Sequence, residues 1–389
     1  MGATAPIRHL QTLRSEFWVV ATARFVNRLG AFSLGFLSLY LVRVGRLPVE
    51  TTGLVLTGFG AATIPSRLAG GWISDHIGNR EALLIGLVAT SASQVGLAVA
   101  TSTTTFAVFA VALGLSCEIF EPATASVVAA SVPQEERTLA FGILALVMNV
   151  AGMLAGLVAA VVAGAGLRWL FVIDAATTLL AAAFVGFGPV SERSSRPEQV
   201  GRTTESWRRD RRLAAVTVTN TLFAILYLQL FILLPLTITD RGESPRAIGV
   251  VLTISASVVV VAGLAITPYL AHLPHGLVLR AGLLLFGTGL CLNATARTLP
   301  RFVAAAVIWA SADLAVIGRL PAVVADIAPP DQRGRYLAVY GSSWGTASVI
   351  APLIGTSMYV RLGAATTWWI LGLVSAGLVP IHRLLAGRG

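Results

Sequence analysis

Gly53-Leu-Val-Leu-Thr57 returns 196 positions later as Gly249-Val-Val-Leu-Thr253, and this spacing governs the reading of the whole chain. Pro133 and Arg137 fall by the same offset on Pro329 and Arg333. Ala155-Gly-Leu-Val-Ala159 falls on Ala351-Pro-Leu-Ile-Gly355. A chain that spells itself twice at half its length, in nearly apolar text, is two copies of one membrane unit. Two such bundles enclose a cleft near the bilayer midplane, a place to hold a small molecule.

Composition supports that reading. The 389 residues are 56% hydrophobic and only 12% charged, with a mean hydropathy of +0.80. A water-soluble domain of this length could not cover its surface with so little charge. Apolar stretches long enough to cross hydrocarbon, about 20 helical residues each, occur near 16–42, 49–73, 82–101, 104–130, 139–164, 168–188, 213–238, 247–270, 276–296, 302–326, 336–360 and 365–386. Twelve helical spans are expected.

Every Lys/Arg position is Arg. Without lysine there is no Gly-x-x-x-x-Gly-Lys phosphate loop and no Schiff-base residue. The five His fall in predicted loops or helix ends, which argues against an embedded metal site, and Cys117 and Cys291 read as small packing residues. No metal and no cofactor is expected. The net charge is +10, and the largest share of the arginines on the side of the termini lies in 189–212, which holds seven Arg and joins the two copies. Placed there, it suits an anionic leaflet and not a nucleic-acid partner. Arginines are about twice as dense on the side holding both termini, which puts the termini in the cytoplasm. The polar start, Met1–Ser15, shows no cleavage pattern of a removable signal peptide.

Gly71-Trp-Ile-Ser-Asp75-His-Ile-Gly78-Asn-Arg80 lies where the second span leaves the bilayer. Its glycines permit a tight turn, and Asp75 with Arg80 offers an opposite-charge pair able to latch two bundles. This string resembles the loop signature of the major facilitator superfamily, Gly-x-x-x-Asp-Arg/Lys-x-Gly-Arg-Arg/Lys. Gly71, Asp75, Gly78 and Arg80 match, while His76 and Asn79 stand where basic residues are usual. Arg24-Phe-Val-Asn-Arg28-Leu-Gly30, Asn149-x-x-Gly152 and Ala325-Asp-Ile-Ala-Pro-Pro-Asp-Gln-Arg-Gly-Arg-Tyr336 further resemble the bacterial drug-efflux branch. The resemblance covers the whole chain. It implies an all-α membrane protein with the major facilitator superfamily fold, twelve transmembrane helices in two pseudo-symmetric six-helix bundles. The boundaries expected are 1–188 for the N-terminal bundle, 189–212 for a basic cytoplasmic linker and 213–389 for the C-terminal bundle. It also implies proton-driven export of hydrophobic or cationic compounds by alternating access, in the bacterial cytoplasmic membrane, by a monomer.

One departure concerns direction. Exporters of the family often carry Gly-Pro-x-x-Gly-Gly in span five, where this chain reads Ala155-Gly-Leu-Val-Ala159-Ala160. The C-terminal counterpart keeps Pro352 and Gly355. Small residues still allow close packing at both places, with Gly152-x-x-x-Gly156 as the tightest face.

Ionisable groups at mid-span are costly and face a cavity or a partner. Glu118 and Glu121 share one face of span four, and Pro122 frees the carbonyl of Glu118 and bends the helix beside them. Arg24, Asn27 and Arg28 share a face of span one. Asp313 lies in span ten with Trp309 one turn away, and Glu118 shifted by the repeat lands on Leu314 beside it. In the family, spans one, four, seven and ten line the cavity. Glu118, Asp313 and Glu121 are therefore the proton-coupling candidates, Glu121 more as a determinant of substrate charge. A competing reading has Arg24 and Arg28 neutralise both glutamates in a fixed network. The cavity candidates are Arg24, Asn27, Arg28, Asn220, Tyr227 and Trp309, with Phe223 and Phe231 as a further aromatic wall. Asp174 reads as a structural pair with Arg168 or a helix-end contact, and Arg67 as an interfacial residue without a substrate role.

Three readings of function stand side by side. The leading one is a proton-coupled exporter of a small hydrophobic or amphiphilic substrate. The second keeps the fold and imports a metabolite, by proton symport or as a uniporter. The third is a membrane receptor or scaffold without transport. An enzyme is not expected: Gly341-Ser-Ser-Trp-Gly345 spells a nucleophile elbow, but inside span eleven, where the required strand-to-helix turn is absent.

Overall fold

The computed structural model describes residues 14–133, 136–190, 210–317, 319–329 and 332–380. Most of the expected linker, 189–212, lies outside the described residues, as do both chain ends. Every regular element among the described residues is a helix. In chain order they are α1 (Ser15–Gly30), α2 (Ser33–Arg43), α3 (Val49–His76), α4 (Asn79–Val99), α5 (Thr103–Ser116), α6 (Phe120–Ala130), α7 (Arg137–Ala165), α8 (Leu167–Phe187), α9 (Arg211–Ile232), α10 (Leu234–Asp240), α11 (Pro245–Ala271), α12 (His275–Thr295), α13 (Leu299–Val316), α14 (Arg319–Ile327) and α15 (Arg333–Gly377).

Ten windows among the described residues are long and apolar enough to cross a membrane, against twelve expected. Two differences account for the number. The stretch 49–73 does form one helix, α3, but its Thr, Gly, Glu50, Arg67 and Asp75 leave it too polar to qualify. The last two stretches run together in the 45-residue α15, interrupted at Gly363 with φ of +79°. A straight helix of that length would measure about 68 Å, roughly twice a hydrocarbon core. Tyr359 and Trp368, on either side of Gly363, both bond to the single short helix α10: Tyr359 to Asp240 at 2.8 Å and Trp368 to Thr237 at 2.9 Å. The chain therefore folds back at Gly363.

The first and fourth spans of each copy are broken, and proline explains three of the four restarts. Pro122, Pro235 and Pro321 all stand in the first turn of α6, α10 and α14, where a missing amide costs nothing. In span four, Pro122 cannot bond the carbonyl of Glu118, and Glu121 N–H takes its place at 3.3 Å. The bend expected there is a full stop and restart, with Cys117–Ile119 as the turn. In span seven, Pro235 frees the carbonyl of Phe231, which accepts instead from Ser38 Oγ at 3.4 Å.

Two compact units result. The first comprises residues 1–33, 58–158 and 166–198; the second comprises 34–57, 159–165 and 199–389. These limits cut across the expected halves at the ends of spans one, two and five. In the first unit α1, α4, α6 and α8 pack around Val20, Ala23, Leu83, Leu87, Phe120 and Val127. In the second, α12 and α15 each serve as a hub, α12 against α13 and α15 against α9. Since lipid is as apolar as these side chains, small residues do the joining. Gly287 and Gly372 illustrate it: a Cβ added at either would stand 2.7 Å from the other's carbonyl oxygen.

Candidate functional site

In the first unit, the broken turn of span four places its two glutamates on different arginines. Arg24, from α1, donates to Glu121 Oε1 and also lies 4.7 Å over the Phe120 ring. Arg67, from α3, stands 3.1 Å from Glu118 Oε2, an ion pair without hydrogen-bond alignment. Ser66 Oγ accepts the Glu118 amide at 3.2 Å. Gly70 makes this possible, because a Cβ there would stand 2.7 Å from the Ile119 Cα, so α3 rests on the turn itself. The Arg67 side chain is 62% exposed. A guanidinium within a span costs about 2.5–3.5 kcal/mol in hydrocarbon, so this face of the unit meets water or headgroups.

Each glutamate thus faces its own arginine. Glu118 pairs with Arg67, the residue expected at the interface. No pattern in the sequence joins Arg67 to Glu118; only the contact of Gly70 with the broken turn does. Arg28 instead passes Gly152, its Nε 3.7 Å from where a Cβ would sit. That is an ordinary contact, so Gly152 does not make the tight helix crossing expected of it, and Gly156 is simply buried in α7.

Asn27 Nδ2 donates to Thr178 Oγ1 at 3.0 Å, and Thr178 Oγ1 in turn approaches Asp174 Oδ1 at 3.4 Å. Asp174, buried at 1% exposure, thus faces the span-one polar row. Its expected partner Arg168 points elsewhere, toward the Ala100 carbonyl at 3.4 Å. At the loop signature, Gly78 caps α4 with φ of +143°, which only glycine adopts freely. Asn79 turns inward to accept from Ser74 Oγ, and Arg80 donates to the Gly186 carbonyl at the end of α8. Gly71 has open space beside it, and Asp75 is exposed.

The second unit handles its carboxylate differently. Asp313 is buried on α13, no ion pair reaches it among the described residues, and its Oδ1 has no hydrogen-bond partner there. Trp309 Nε1, one turn earlier, is likewise buried without a partner, its backbone resting on Gly289. Asn220 Oδ1 accepts from Tyr340 OH at 3.1 Å, leaving Nδ2 unpartnered. Tyr227 sits in an aromatic cluster, its ring centroid 5.5 Å from Trp344, 5.7 Å from Phe231 and 6.1 Å from Phe223. Pro352 lies within α15 and Gly355 packs on the Gln229 side chain, whose Nε2 donates to the Ala351 carbonyl at 2.9 Å. The elbow-like Ser343 is helical and bonded to the carbonyls of Tyr340 and Thr217.

The family model of the Major Facilitator Superfamily matches residues 20–274 and 230–387. This chain belongs to that superfamily. It is 23% identical over 381 residues to the MFS-type transporter YhjO of Bacillus subtilis (strain 168), covering 94% of each. It is also 23% identical over 351 residues to a Na(+), Li(+), K(+)/H(+) antiporter of Planococcus maritimus, covering 80% of this chain and 81% of that one. Among solved structures, a peptide transporter POT in complex with sulfate superposes with a TM-score of 0.78 at 14% identity, covering 96% of this chain and 94% of that one. The nucleoside transporter NupG superposes at 0.81 with 13% identity, covering 95% and 99%. At such identities the structures speak for the fold. The chain is thus a multi-pass membrane transporter of the superfamily, with a small molecule as its substrate.

Proposed function

We propose that this transporter is a proton-coupled exporter of small hydrophobic or amphiphilic compounds, with both termini cytoplasmic, and that Asp313 is the group that carries the proton. The observation behind it is the contrast in partners: Glu118 and Glu121 each face an arginine, whereas among the described residues no ion pair reaches the Asp313 carboxylate. An ionised carboxylate without one is expensive in a membrane interior, and a proton removes that expense. Glu118 and Glu121 hold the first unit's charge in balance, and the Arg67 face gives the substrate a wetted approach. The aromatic cluster around Tyr227 supplies contact area for an apolar ligand.

The test uses proteoliposomes with an imposed pH gradient and an internal pH dye. A panel of amphiphilic compounds should include some that dissipate the gradient, and Asp313→Asn should abolish that response while Glu118→Gln retains it. If Glu118→Gln abolishes it and Asp313→Asn does not, the assignment is wrong. Flux that accumulates substrate along with protons would make the chain an importer. Ligand binding without any flux would make it a receptor. The antiporter relative favours one second reading, exchange of a monovalent alkali cation for a proton at the same acid; Na+ or K+ alone would then dissipate the gradient.

A further inference from the structure

Two cavities succeed one another along α12 and α15, one charged and one apolar. The first, about 440 Å³, is lined by Arg241, Ala294, Arg297, Ala364 and Ala365. The second, of the same volume, runs from Thr295 to Leu284 on α12 and from Trp369 to Ala376 on α15. Ala294 adjoins Thr295, and Ala365 stands one turn from Trp369, so the charged cavity lies at one end of the apolar one.

The apolar cavity is a furrow with a glycine floor. A Cβ at Gly287 would stand 2.7 Å from the Gly372 carbonyl oxygen, and one at Gly372 would also collide with Cys291 Sγ. Leu284, Trp369 and Leu373 rise beside this floor and are exposed. Thr288 and Thr295 donate their hydroxyl protons within their own helix, to the Leu284 carbonyl at 2.9 Å and the Leu292 carbonyl at 3.2 Å. Leu284 and Thr295 are eleven helical steps apart, about 16 Å. That is roughly half of a hydrocarbon core of about 30 Å, the reach of one acyl chain in one leaflet.

The charged cavity has its cations set by the ends of the same helices. Arg241 Nη1 donates to the Asn293 carbonyl at 2.7 Å and to that of Ala296, and Nη2 donates to the Ala294 carbonyl at 2.8 Å. Arg241 thereby caps α12, while Arg297 is exposed. The acids at this end are engaged elsewhere: Asp240 holds Arg43 and Tyr359, and Glu243 accepts the Leu299 amide at 2.7 Å. Among the described residues no ion pair reaches Arg241 or Arg297. Burial, opposed by Tyr359 and aided by Arg297, pushes the Arg241 guanidinium below its ordinary value. An anion in the cavity relieves that.

We propose that α12 and α15 form a binding site for an anionic phospholipid, with its phosphate at Arg241 and Arg297 and one acyl chain in the furrow. A free anion would use the arginines and leave the furrow without a purpose. A lipid uses both at the spacing observed, and Trp369 stands near their join, at the level where indole rings favour the membrane interface. With both termini cytoplasmic, the site opens to the outer leaflet.

The experiment is native mass spectrometry of the full chain from micelles holding equal amounts of dioleoyl phosphatidylglycerol and dioleoyl phosphatidylcholine. The parent should retain phosphatidylglycerol in preference. Arg297→Gln should lower that affinity about fivefold and leave phosphatidylcholine unchanged; it is the decisive variant, because Arg241 also caps α12. Thr288→Trp, which fills the furrow, should lower retention of both lipids. Arg361→Gln, at an exposed arginine that does not line the cavity, should change neither. Equal retention of the two lipids by the parent would overturn the proposal. So would an unchanged preference in Arg297→Gln, unchanged retention in Thr288→Trp, or an equal loss in Arg361→Gln. Displacement of the lipid by inorganic phosphate would make the cavity a free-anion site and overturn it as well. The readout involves no flux and no proton, so it stands or fails apart from the role of Asp313.

Discussion

The two units treat embedded acid in opposite ways. In the first, Glu121 and Glu118 sit beside Arg24 and Arg67, and every cation of the chain outside histidine is an arginine. A guanidinium stays charged at any physiological pH, so the cations of this layer are permanent. In the second unit no ion pair reaches Asp313 among the described residues, and the buried N–H of its neighbour Trp309 has no partner there. Carboxylates of nearly equal sequence depth thus have different partners.

The comparison can be broken most directly at Asp313. Asp313→Asn should lower proton-driven flux by about tenfold or more, since no ion pair reaches this buried acid among the described residues, and dye-monitored proteoliposomes measure it. Next comes Arg24→Ala, which strands Glu121 and should cost about 2 kcal/mol, less than for a fully buried pair because that carboxylate is one-third exposed. Reversible unfolding in mixed micelles reads this, and adding Glu121→Gln should recover part of the loss. Arg67→Gln should cost less, under about 1 kcal/mol, since its side chain is largely wet. If Arg67→Gln instead destabilises as much as Arg24→Ala, the face is dry and the two pairs are equivalent. The smallest effect belongs to Tyr340→Phe, which removes the bond to Asn220 and should cost about 0.6 kcal/mol.

Much of this was readable in advance, for identifiable reasons. The internal repeat and the apolar runs announce a duplicated helical membrane protein, because 196-residue recurrence and hydropathy are properties of the text itself. Pro122 announces the break in span four, because the missing amide acts four residues away. The pairing of Arg67 with Glu118 is not readable, since it depends on Gly70 resting on a broken turn 49 positions later. The approach of Asp174 to Thr178, one helical turn on, is likewise not written in the sequence, which offers Arg168 or a helix end as its contact. The shortfall in span number has a plainer origin. Hydropathy counts apolar residues, and α3 spends its length on small polar ones that let helices approach.

Gly363 has a practical consequence. It breaks the 45-residue α15 within a single residue. With φ of +79° and nothing beside it, any other residue would strain the backbone by about 1–2 kcal/mol. That corner offers no slack for an epitope tag, a protease site or a fused reporter, so labels for tracking this protein belong elsewhere on the chain.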